Sequence, residues 1–198
     1  LGGHWPKLDD ATRHAFKTTL LSHLRAEVAP AVRRATADLL AVVARFALPA
    51  TAGGWPELLE LVSSCAASEH EQWRALSVLL IEALLHSEHV ADELRPHFEP
   101  LAALLGRALA EPPPSAVPRG ALAAVAAWAG ALDERDQARL LRPLVPSVIA
   151  VAHAAVALAD DETLLVATSL LDDLVRASAL SVSHTVPVCE LALTATNA

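Results

Sequence analysis

A chain of 198 residues with 23 acidic and 15 basic side chains carries a formal charge of −8, which excludes nucleic acid as an expected direct partner and favours proteins with basic surfaces. Ala, Leu and Val dominate, only 4% of residues are aromatic, and strand-type alternation is missing, so the chain is expected to be all-α rather than sheet-based. The two cysteines, Cys65 and Cys189, lie far apart in sequence and suit buried thiols in a reducing compartment better than a disulfide framework.

Leu1 to Lys7 reads as the tail of something earlier. A first helix runs from about Leu8, capped by Asp9 or Asp10, to Glu27. Pro30 starts a second helix over Ala31–Ala47, with Val32, Leu39, Leu40, Val43 and Phe46 on its buried side, and Pro49 and Gly53-Gly54 end it. Trp55-Pro56 opens a shorter helix through Glu57, Leu58, Leu59, Glu60, Leu61 and Val62. Ser68, three residues ahead of Glu71, then gives the capping-box spacing for another helix. That helix carries Trp73, Leu76, Leu80, Ile81, Leu84 and Leu85 at helical period, ending near His86. A third pair runs over Val90–Ala110 and Ser115–Leu132, split by Pro112-Pro113-Pro114. A fourth runs over Glu134–Leu158 and Glu162–Ala177, broken at Asp160-Asp161. A ninth helix, about Ser181–Leu193, has no partner. Trp73 and Trp128 belong to the core or to packing between pairs, whereas Trp5 and Trp55 sit at helix starts, where partial exposure is expected.

The pairs (8–47, 55–86, 90–132 and 134–177, then the helix 181–193) read as one array over residues 1–198, because a pair this small cannot bury its apolar face alone. Pro56, Pro100, Pro143 and Pro187 recur at intervals of 44, 43 and 44 in the first helices. Proline inside a helix costs about 3 kcal/mol, so each recurrence must be accommodated. In the second helices Leu40, Ile81, Val125 and Leu171 recur at 41, 44 and 46, each followed three residues later by Val43, Leu84, Trp128 or Leu174. This period fits HEAT-type repeats, not the roughly 34 residues of tetratricopeptide repeats. The expected fold is a right-handed α-α superhelix, a HEAT-repeat solenoid of about four helix pairs plus one unpaired helix. Ala29-Pro30-Ala31-Val32-Arg33-Arg34-Ala35 resembles the HEAT entry to its second helix, and Trp73-Arg74-Ala75 repeats it. Val117-Pro118-Arg119 is a weaker copy, and at Thr163-Leu164 the arginine is lost.

Chemistry-bearing patterns are sparse. His86, His89 and His97 could mimic a zinc site, but the first should end one helix and the last lie inside the next. Cys65 near His70 could mimic a thiol–imidazole pair without any third orienting group. No glycine-rich phosphate loop is present, so no catalytic centre, metal or cofactor is expected. Pro143–Ala159 is the one membrane-like stretch. It falls short of the roughly 20 apolar residues of a spanning helix and is read as a buried core helix, with no membrane partner.

Beyond a generic array, three stretches resemble the N-terminal half of importin-β-type nuclear transport receptors (karyopherins β), in the subtype that imports histones and ribosomal proteins. They are His4-Trp5-Pro6-Lys7-Leu8, Trp55-Pro56-Glu57-Leu58-Leu59, and His89-Val90-Ala91-Asp92-Glu93-Leu94-Arg95-Pro96-His97-Phe98. Arg142-Pro143-Leu144-Val145-Pro146 and Leu171-Asp172-Asp173-Leu174-Val175 fit the same pattern. The resemblance implies a fragment of a longer receptor, lacking the first two repeats and everything after the sixth. It also implies second helices that line a concave surface for cargo nuclear localisation signals and the small GTPase Ran, with Ran contacts concentrated in earlier repeats. First helices would carry grooves for Phe-Gly nucleoporins, and location would be the cytoplasm, the nucleus and the nuclear pore.

On that resemblance the inner face can be assigned by residue. Opposite the core stripe, the second helices present Arg34, Asp38, Ala41 and Arg45; Ala75, Leu79, Glu82 and His86; Arg119, Ala123, Ala126 and Gly130; and Leu165, Ser169, Asp172 and Arg176, with Asp173 beside them. Asp38, Glu82, Asp172 and Asp173 are expected at the surface, where they would attract basic cargo. The competing reading is a HEAT scaffold of the phosphatase-scaffold type assembling a cytoplasmic complex. A tubulin-binding array is disfavoured, because the turns within the pairs lack Trp and Lys.

Overall fold

The computed structural model describes residues 4–49, 54–112 and 115–176, together with Pro187 and Glu190. Asp9 caps the first helix, its carboxylate accepting from the Thr12 amide at 2.7 Å, which satisfies one of the orphan donors every helix start leaves. Ten helical elements follow: α1 (Asp10–Ala26), α2 (Pro30–Ala47), α3 (Pro56–Ala66), α4 (Glu71–Leu85), α5 (Glu88–Leu94), α6 (Phe98–Leu109), α7 (Val117–Ala131), the single turn α8 (Glu134–Asp136), α9 (Val145–Leu158) and α10 (Asp161–Arg176). Among the described residues there is no strand. The expected ninth helix and Cys189 lie outside the described residues, except for Pro187 and Glu190, which are helical.

Two first helices read as continuous are each broken at a proline. Pro96 lies in a 3-10 turn, Arg95–His97, between α5 and α6. Pro143 lies in another, Arg142–Leu144, preceded by a π turn over Gln137–Leu141. Proline has no N–H to donate and its ring crowds the preceding turn, so the backbone changes its hydrogen-bond step there and resumes α geometry afterwards. The run Gln137–Leu158 is 22 residues long and apolar enough by length and composition to cross a membrane, yet half of it is buried inside the protein. Val148, Ile149 and Ala152 on that run are core residues.

Helices pack within pairs (α1 on α2, α3 on α4, α6 on α7, α9 on α10), and the second helices also pack on one another in order: α2 on α4, α4 on α7, α7 on α10. This repetition is an all-α repeat solenoid, with the core running between the two layers. The second helices start at residues 30, 71, 117 and 161, so the repeat spacing is 41, 46 and 44. Arginines at matched positions lock the turns inside the first two pairs. Arg33 reaches back to the Glu27 carbonyl, and Arg74 reaches back to the carbonyls of Ser68 and Glu69 at 3.0 and 2.7 Å.

Several expected placements change. Val32 and Leu39 are half exposed, because α2 turns Ala37, Leu40, Ala41, Val43, Ala44 and Ala47 inward. Ala41, expected on the outward stripe, is therefore buried. Trp5 and Trp55 are both buried. Phe16 packs edge-on against Trp5 with ring centroids 6.1 Å apart. Lys17 lies 5.7 Å from the Trp55 ring and donates to the Gly54 carbonyl at 2.6 Å, its pKa pushed down by burial. The Ser68/Glu71 capping box does not form, because His70 is the N-cap and α4 begins only at Glu71. Freed from that role, the Glu71 carboxylate accepts from the Ala116 amide at 2.8 Å, across to the start of α7.

Second helices α4 and α7 come close at Gly120, where an added Cβ would lie 2.8 Å from Val78 Cγ2. Val78 is buried, so Gly120→Ala is expected to cost about 1–3 kcal/mol through overpacking. In denaturant titrations, trimming the neighbour in a Gly120→Ala/Val78→Ala pair should recover part of that loss. An alanine at 120 that leaves the unfolding midpoint unchanged would show that α4 and α7 are not this close.

Asp160 caps α10 by accepting from the Thr163 hydroxyl at 2.6 Å and amide at 3.1 Å, which holds its carboxyl below the ordinary aspartate value. Because the folded-state pKa is depressed, the cap contributes above the unfolded value and is lost as pH falls through the folded one. Protection of the Thr163 amide, taken against the intrinsic exchange rate at each pH, should hold above about pH 4 and fall away below it. A change confined to pH 5–7 would point to a different group.

Candidate functional site: the second-helix face

Because α2, α4, α7 and α10 stack in order, their outward side chains share one surface. Two adjoining depressions lie on it. The first, of about 420 Å³, is lined by Arg34, Asp38, Ala41, Arg45, Ala83 and His86. The second, of about 600 Å³, runs from α2 across α4 and α7 to the start of α10. Arg33, Arg34, Glu82, Arg119 and Glu162 stand around it over small or apolar residues such as Ala75, Gly120 and Ala123. Six of the nine residues assigned from the sequence (Arg34, Asp38, Arg45, Glu82, His86 and Arg119) are thus brought to one connected surface. Asp172, Asp173 and Arg176 lie near the end of α10, exposed and outside both depressions. Arg176 pairs with Asp172 at 2.9 Å, one helical turn away.

The expectation that all four acidic residues are exposed fails at Glu82. Its carboxylate is 10% exposed and accepts from both terminal nitrogens of Arg34 at 2.7 Å each, a fork that raises the Arg34 pKa. The lesser pair, Arg34 Nε to Asp38 at 3.6 Å, is the helix-surface contact that the i,i+4 spacing anticipates. Comparable ties join other repeats: Arg74 to Glu111 at 2.6 Å, Arg95 to Asp136 at 3.0 Å, and Arg139 to Glu99, whereas Arg119 and Glu162 stand 3.8 Å apart without a hydrogen bond. Sequence reasoning left out Arg33 and Glu162. Arg33 was visible as the arginine of the repeat's entry motif. Glu162 could have been found as the first-turn acid of α10, opposite Arg119.

A third groove, of about 700 Å³, lies where α6, α9 and the starts of α7 and α10 meet. Leu109, Pro118, Pro146, Ala150, Ala154 and Leu158 give it an apolar lining. As for other chemistry, His86 Nδ1 is 2.8 Å from the Glu82 carbonyl, and His89 and His97 stand exposed. Among the described residues no group of three His, Cys, Asp or Glu could hold a metal ion. Cys65 is buried, and burial pushes its thiol pKa up, away from the reactive thiolate.

The profile of a family described as IPO5-like, TPR repeats matches residues 28–188. The chain belongs to the importin-5-like repeat family. A probable importin-5 homolog from Dictyostelium discoideum is 30% identical over 142 residues, 72% of this chain and 13% of that protein. The importin-5-like chain thus spans about an eighth of the length of this curated relative. Although the family description names tetratricopeptide repeats, the helix-pair spacing here is the longer one given above and matches HEAT-type units.

Proposed function

We propose that the chain is a segment of a nuclear transport receptor whose second-helix face holds a basic segment of its cargo. The observation that carries this reading is the ordered stacking of α2, α4, α7 and α10, which makes one uninterrupted face on which Asp38, Asp172 and Asp173 stand exposed. Repeat arrays bind along such surfaces because many weak contacts add over the length of an extended ligand. Lysine-rich targeting segments, as in histones and ribosomal proteins, are the matching chemistry. Family membership adds shuttling between cytoplasm and nucleus. It also adds Phe-Gly contacts between first helices, for which the apolar groove between α6 and α9 is the candidate here, and a Ran-type GTPase held mainly by repeats upstream.

Reversing Asp38, Asp172 and Asp173 to lysine should weaken a lysine-rich histone-tail peptide on the order of tenfold, since exposed pairs contribute about 0–1 kcal/mol each. The same binding should fade as salt shortens the Debye length below about 8 Å. Glu82 is kept native, because it is buried against Arg34. Binding that responds to neither the reversals nor salt places the cargo elsewhere.

A further inference from the structure

The charges on the second-helix face are not evenly spread. α2 carries Arg33, Arg34 and Arg45 against the single acid Asp38, α4 carries Arg74 against Glu71 and Glu82, and α7 carries Arg119 with no acid, five arginines against three acids. α10 has Asp161, Glu162, Asp172 and Asp173 against Arg176 alone. The α2–α4–α7 end is therefore a positive region on a protein of net charge −8.

The free hydrogen-bonding capacity of these arginines is as informative as their number. Arg34 is committed to Glu82 and Asp38. Arg33 spends Nε and Nη2 on the Glu27 carbonyl. Among the described residues, neither Arg33 nor Arg45 has a carboxylate within ion-pair distance. Arg45 stands over the Phe46 ring at 5.9 Å. Arg119, 56% exposed, is 3.8 Å from Glu162, too far for a hydrogen bond. Three guanidinium groups thus face the two depressions with donors to spare. The floor beneath them is small-sided at Ala75, Gly120 and Ala123, which lets an extended backbone approach closely.

We propose that the groove over α2, α4 and α7 receives an extended acidic segment of a partner protein, with Arg33, Arg45 and Arg119 meeting its carboxylates. Planar guanidinium groups bind carboxylates in paired hydrogen bonds better than a lysine ammonium can. Three second helices at about 8–10 Å spacing set a groove near 20 Å, the reach of roughly six extended residues. A short acidic segment fits that length. A long polyanion such as nucleic acid would run onto the acidic α10 and be repelled there. This site has the opposite polarity to the cargo surface proposed above and meets it on α2, where Asp38 and Arg45 line one depression, so the two are told apart at Asp172 and Asp173 on α10.

The test is fluorescence anisotropy of the whole chain with a labelled decaglutamate peptide, decalysine and a ten-nucleotide single-stranded DNA as probes. Decaglutamate should bind at about 50 mM salt and weaken steadily as salt rises. Arg45→Glu/Arg119→Glu should lower its affinity about tenfold or more with helicity and unfolding midpoint unchanged. Arg33→Gln, which leaves charge repulsion out, should give a smaller loss. Asp172→Lys/Asp173→Lys should leave decaglutamate binding in place while weakening decalysine, which separates the two sites. No decaglutamate binding at low salt, equal binding by the double arginine variant, or tighter binding of the DNA than of the peptide would each overturn the proposal.

Discussion

Trp128→Ala should destabilise the chain by about 3–5 kcal/mol, the usual cost of truncating a large buried aromatic. Trp128 is fully buried on α7, and its ring meets Phe98 edge-on with centroids 5.3 Å apart, tying α7 to α6 within one repeat. Among the described residues its indole N–H has no hydrogen-bond partner. Trp128→Phe therefore loses volume but no hydrogen bond, and should cost about 1–2 kcal/mol. The contrast between the two substitutions is the diagnostic, read as shifts in urea midpoint. If phenylalanine proves as damaging as alanine, the indole nitrogen has a partner that this geometry lacks.

Glu82→Lys is expected to cost about 2–4 kcal/mol, because it replaces the acceptor of a forked ion pair with a second cation in a largely buried position. The estimate sits below that of a fully buried pair, since the Arg34 side chain is 45% exposed and can turn toward water or Asp38. Glu82→Gln removes the charge but keeps a shape that can still accept from Arg34, so about 1–2 kcal/mol is expected. A double-mutant cycle with Arg34→Gln isolates the pair, and a coupling energy near zero would sink the claim that this contact joins the first two repeats.

The helical class and the helix-pair spacing were legible because apolar period and proline placement are local signals. The arginine motif was legible too. Arg33 and Arg74, aligned from sequence alone, make the same contact to the turn behind them. What sequence missed depends on neighbours brought close only by folding. Ser68 and Glu71 have the spacing of a capping box, yet the helix starts later and Glu71 serves the next repeat. Trp55 stands at a helix start, but Lys17, 38 residues upstream, lies against its ring. Glu82 occupies the stripe where sequence put it, and its burial follows from Arg34 reaching across from α2, which no spacing along α4 reveals. Val32 and Leu39 fall within the generous apolar arc that the sequence suggests for the core of α2, yet both stand half exposed. The narrower alanine-rich seam of α2 instead turns inward, since small side chains let neighbouring helices approach closely.

The central claim is that the stacked second helices form one binding face. Chemical-shift mapping of the isotope-labelled chain with an unlabelled histone-tail peptide tests it most directly. The account predicts perturbed amides and side chains on the second-helix face at Asp38 on α2 and at Asp172 and Asp173 on α10, with α3, α6 and α9 unaffected. Perturbations gathered on the first helices, with the second-helix face silent, would contradict it.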